Sequence, residues 1–118
     1  MWELNLDLIE EWIASLSDDD YDLLIAALQI LEREGPELGR PLVDSIKGSR
    51  IKNLKELRPG SSGRSRFRIL FAFDPQRCAI MLIAGDKAGN WNRWYKTNIP
   101  IAERRYFEHL KKLSEELP

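Results

Sequence analysis

Histidine occurs once in this chain, at His109, and cysteine once, at Cys78. That excludes a nuclease working through paired histidines, an internal disulfide and a multi-cysteine metal site. Carboxylates are scarce where cations are dense: between residues 45 and 96 the only acids are Glu56, Asp74 and Asp86. Two-metal phosphoryl chemistry needs clustered carboxylates, so neither a metal nor another cofactor is expected. No apolar run reaches the length of a membrane span. Met1-Trp2-Glu3 lacks the basic start of a secretory leader, which makes the cytoplasm the expected compartment. Gly85-Asp86-Lys87-Ala88-Gly89 lacks the spacing and the Lys-Ser/Thr ending of a phosphate-cradling loop. The serines of Pro59-Gly60-Ser61-Ser62-Gly63 have no nucleophile-elbow pattern and read as loop formers.

What is present is charge, sorted by position. The chain has 118 residues, 43% of them hydrophobic and 31% charged. This suits one compact domain over residues 1–118. The net charge of −1 conceals an asymmetry. Residues 1–44 carry 12 acids and 2 bases, residues 45–96 carry 12 bases and 3 acids, and residues 97–118 carry 4 of each. The halves can pair with each other, but exposed pairs stabilise by only ~0–1 kcal/mol each, which gives little reason to sort them so fully. The alternative is a polyanion site.

Periodicity supplies the elements. Trp2 to Leu6 alternates like a short strand. Asp7 can cap a helix whose stripe is Leu8, Ile9, Trp12, Ile13 and Leu16. Ser17 opens a second helix with Asp18, Asp19 and Asp20 in its first turn, and Gly35-Pro36 closes it. Pro36 to Gly48 reads as a connection. Ile51 to Leu57 reads as a strand, although Leu54 breaks the alternation. Phe67, Ile69, Phe71 and Phe73 share one strand face, with Arg66 and Arg68 on the other. Asp74 to Arg77 is a turn, and Ala79 to Ala84 is an apolar strand covered on both sides. Pro100 fits the first turn of a last helix. The expected fold is α+β: an N-terminal helical hairpin on a mostly antiparallel sheet of about four strands, then a C-terminal helix, with one sheet face open.

On that open face Arg58, Arg66, Arg68 and Lys87 can converge. Guanidinium groups match phosphate bidentately. Trp94 and Tyr95, flanked by Arg93 and Lys96, can stack on bases, worth ~1–3 kcal/mol each, or pack beneath the last helix together with Trp91. Metal-free RNA cleavage follows as a possible chemistry. The 2′-OH attacks its own phosphate, cations stabilise the phosphorane, and Tyr95 or a Lys moves protons if neighbouring cations lower its pKa. His109 reads as a solvated or capping residue.

Leu54-Lys55-Glu56-Leu57-Arg58, then Phe67-Arg68-Ile69-Leu70-Phe71, then Lys87 after the last strand, behind two N-terminal helices, resembles the RelE/ParE toxin superfamily. The closer resemblance is to its HigB-like branch. It implies a ribosome-dependent mRNA endonuclease held inactive by a cognate antitoxin, commonly a helix-turn-helix protein. By position it marks Arg58, Arg68, Lys87 and Tyr95 as catalytic. Lys52 and Lys55 resemble lysines that contact ribosomal RNA or mRNA, and Lys47, Arg66, Arg93, Trp94 and Lys96 extend the expected RNA surface. The same fold also supports gyrase inhibition without nuclease chemistry, or a catalytically silent toxin–antitoxin component.

Overall fold

The computed structural model describes residues 1–60, 67–86 and 91–116. Arg66 and Lys87 lie outside them. The N-terminal hairpin forms as its stripes require. A 3-10 turn (Asp7–Ile9) leads into α1 (Glu10–Ala14), and α2 (Asp18–Glu34) follows. The cap expected of Asp7 is not formed: the N-cap position is Leu6, without a side-chain bond, and the Asp7 N–H donates to Asn5 Oδ1 at 3.0 Å. Ser17 caps α2 as expected, accepting the Asp20 N–H at 3.1 Å. Gly35 ends α2 at φ +64°, with the Trp2 indole packed where a Cβ would stand, so only glycine fits.

The sheet has five strands: β1 (Glu3–Asn5), β2 (Val43–Ser45), β3 (Lys55–Leu57), β4 (Phe67–Phe73) and β5 (Cys78–Asp86). Their order is β1-β5-β4-β3-β2, antiparallel except for the β1–β5 pair. The strand beyond the expected four is β2, inside the stretch that reads as a connection. Three residues are too few to show alternation, and it is the pairing of Val43 with Leu57 and Ser45 with Lys55 that makes them a strand. The strand expected from Ile51 shrinks to Lys55–Leu57. Ile51 and Leu54 are both buried, at the two ends of a turn in which Leu54 N–H donates to Ile51 O. That turn explains the broken alternation.

The open sheet face is overturned. Leu24, Leu28 and Leu31 of α2 pack with Phe67, Ile69 and Phe71 on one side of the sheet. On the other, Leu70, Ala72, Ile80 and Leu82 pack with Ala102, Ile99 and Tyr106 of α3 (Trp91–Glu116). Strands apolar on both faces need two covers, and α3 is the second. Pro100 sits within this helix rather than in its first turn. Both Pro100 and Lys96 are exposed, so water can serve the Lys96 carbonyl that the proline ring leaves without a donor. Polar ties fasten α3 to the sheet. Tyr106 Oη donates to Phe73 O at 2.9 Å, and Arg105 Nη1 donates to Leu82 O at 2.7 Å. His109, rather than being solvated, holds Asp74 Oδ2 through Nε2 at 2.8 Å. Asp74 Oδ1 accepts the N–H groups of Gln76 and Cys78, which makes Asp74 the turn residue expected. Among the described residues no helix is long and apolar enough to cross a membrane.

Candidate nucleic-acid interface

Strand alternation puts Arg68 on the α3 side, in line with Leu70 and Ala72. Its partner across the β4–β5 ladder is Gly85. A bulge creates that match: Leu70 pairs with Ile83 but Phe71 with Met81, so β5 carries an extra residue. Without it, the side-chain period of two would turn Gly85 to the opposite face. The Trp94 indole occupies the space where a Gly85 Cβ would project. The start of α3 thereby lies close over Arg68.

Arg68 is enclosed on several sides. Its Nε stands 3.1 Å from Glu56 Oε1, and the side chains are only 14% and 8% exposed. Its Nη1 donates to Phe67 O at 2.9 Å, and its guanidinium lies 4.8 Å from the Trp91 ring centroid. Tyr95 Oη donates to the same Glu56 Oε1. Trp91, Trp94 and Tyr95 form one aromatic cluster, with centroids 5.3–5.9 Å apart. Half-buried Arg58, just past β3, is 4.0 Å from Asp44 Oδ2, which also pairs with Arg40 at 3.2 Å. Arg40, the Ser45 N–H and Arg58 together hold the Asp44 carboxyl below its usual value.

The structure therefore brings Arg68 and Tyr95 onto Glu56, a residue the sequence reading did not select, while Arg58 faces Asp44 and acts on this pair only through its charge on Tyr95. Glu56 is the one acid in the run Lys52–Arg58, and that isolation was the only available signal. The proton-transfer route expected of Tyr95 is corrected. Burial first, then the hydrogen bond to Glu56 and its charge, push the Tyr95 phenol well above its usual value. Arg68 and Arg58 oppose this but do not prevail. Tyr95 is a proton-bearing donor at neutral pH and cannot act as a base there.

The remaining cations disperse. Lys55 alternates away from Glu56, and its Nζ donates to Pro36 O at 2.9 Å, on the side of the N-terminal helices. Lys47 and Lys52 are exposed on the loop between β2 and β3, while Arg93 and Lys96 are exposed on α3. Trp94 is partly buried against the sheet. Among the described residues, no three His, Cys, Asp or Glu side chains are placed to hold a metal ion.

Residues 11–107 match the family model of phage-derived Gp49-like proteins. A candidate toxin named HigB2 from Mycobacterium tuberculosis is 52% identical over 117 residues, which is 99% of this chain and 58% of that protein. A second candidate toxin of the same organism, HigB3, is 53% identical over 97 residues, 82% of each chain. The chain thus spans little more than half the length of the first relative and most of the second. On these matches, the chain belongs to the Gp49-like family and to the HigB-like toxins of the RelE/ParE superfamily.

Proposed function

We propose that the chain is the toxin of a type II toxin–antitoxin pair and cleaves mRNA on the ribosome without a metal ion, under the control of a cognate antitoxin, a helix-turn-helix protein. The observation that carries this reading is the convergence of Arg68 and Tyr95 on Glu56 beneath Trp91. In this reading Glu56 takes the 2′-OH proton. As the O2′–P bond forms, Arg68 turns from Glu56 to the phosphorane oxygens, and Arg58 adds charge beside it. The P–O5′ bond then breaks, and the leaving oxygen takes a proton from water. Tyr95 holds Glu56 in place through its phenolic O–H. Lys87 supplies a further cation in this reading.

Expression without an antitoxin is expected to arrest growth and leave translated mRNAs cut within codons, seen by primer extension. Glu56→Gln and Arg68→Ala each reduce the cuts sharply. Intact transcripts in arrested cells would overturn the reading. One observation favours a second reading. Glu56 already neutralises Arg68, as suits a toxin that binds gyrase and cuts nothing. Under that alternative Arg68→Ala stays toxic, and plasmid supercoiling is lost.

A further inference from the structure

We propose that the outward face of α3 is a track for the sugar–phosphate backbone of single-stranded RNA, leading away from the cleavage cluster. This rests on the nuclease reading and adds a second binding site to it. Arg93, Lys96, Pro100, Arg104, Phe107 and Lys111 recur at steps of three and four, which puts them on one helical stripe. All but Phe107 are exposed, and Phe107 is partly so. The stripe starts at Arg93, two residues before Tyr95, and runs ~27 Å at 1.5 Å per residue.

At its far end the stripe enters a cavity of about 430 Å³ between α3 and the loop before β3, lined by Arg50, Arg104, Phe107 and Lys111. Arg50 enters it stacked on Phe107, 5.1 Å from the ring centroid. Of the cavity's two carboxylates, Glu103 is already committed. It is buried and accepts from Ser49 Oγ at 2.8 Å and from the Arg50 N–H at 2.6 Å. Glu108 is the one uncommitted carboxylate that lines the cavity. Among the described residues Arg50, Lys96, Arg104 and Lys111 make no ion pair, whereas Arg40, Arg58 and Arg68 each face a carboxylate. Four unneutralised cations beside a partly exposed ring match a phosphodiester strand with stacking bases.

The test is fluorescence anisotropy of the full chain with 6- and 18-nucleotide single-stranded RNA across a salt series. The variants are Arg104→Ala/Lys111→Ala and Arg68→Ala, with circular dichroism checking their folding. Each lost single-strand phosphate contact lowers the log–log salt slope by about 0.7, so the double variant should fall by about 1.4 on the 18-mer. Between 50 and 200 mM salt it then loses roughly sevenfold less affinity than the parent chain. The 6-mer is expected to respond less, and Arg68→Ala to keep most of the slope while losing ribosome-programmed cleavage. A folded double variant with the parental slope on the 18-mer would overturn the track, even if the parent cuts mRNA. RNA binding unchanged while an acidic peptide loses affinity would overturn it in favour of a protein partner. A parent chain that cuts no ribosome-bound mRNA defeats the nuclease reading itself and is scored separately.

Discussion

Glu56 serves two donors through a single oxygen, Oε1, one of them the Arg68 guanidinium and the other the Tyr95 hydroxyl. Removing either donor leaves a carboxylate that is 6% exposed with half its support. Arg68→Ala is therefore expected to destabilise the fold by about 1–3 kcal/mol in urea titration and to lower cleavage by roughly 10²–10³. Pairing it with Glu56→Gln should return much of the stability and none of the activity, because the uncompensated charge has gone. The Tyr95 phenol gives a second expectation, and its sign follows from its raised pKa. An unfolded chain releases the proton near the ordinary tyrosine value of about 10, while the folded chain holds it longer. The stabilisation is complete below that pH and declines as pH rises above it. Urea midpoints taken from pH 8 to 11.5 should show the decline, and Tyr95→Phe should reduce it. Tyr106, also raised by burial and then by Asp74, and Cys78, raised by burial first, contribute to what remains.

At the scale of elements, the bulge in β5 and the start of α3 act together. The extra residue turns Gly85 toward α3, and the missing side chain admits Trp94. Gly85→Ala drives a methyl into the indole, an overpacking expected to cost about 1–3 kcal/mol and to shift tryptophan emission. If stability and emission stay unchanged, the close seating of α3 on β5 is wrong. Much of this level was readable beforehand. Ser17 and Gly35 cap α2 where their chemistry predicts, and β4 alternates as its four aromatic and aliphatic positions require. β2 and the interior Pro100 escaped. A three-residue strand exists only through its partner, and a proline inside a helix, which costs about 3 kcal/mol or more, is tolerated here because the rest of α3 is held by the sheet.

Across the whole molecule the charge sorting becomes a layering. The acids of α1 and α2 lie on one side of the sheet, while the α3 stripe and Arg50 lie on the other. Despite a net charge of −1, the folded chain is expected to be retained on heparin at pH 7 and low salt, then to elute as salt rises. Charge reversal at Arg104 and Lys111 should move that elution to lower salt. Passage through the column unretained would show that the acidic layer dominates the field.

The sequence by itself determined the helical stripes, the alternation of β4, the caps of α2 and the separation of charge, because each follows from neighbours a few residues apart. Only the tertiary structure decided which cations remain available. Arg68 meets Glu56 through the β3–β4 pairing and meets Trp91 and Tyr95 through the docking of α3, and those groups are remote in the chain. A bulge of one residue and a second apolar sheet face set that meeting. The bulge leaves no local mark, and the second face showed only in the apolar run Ala79 to Ala84.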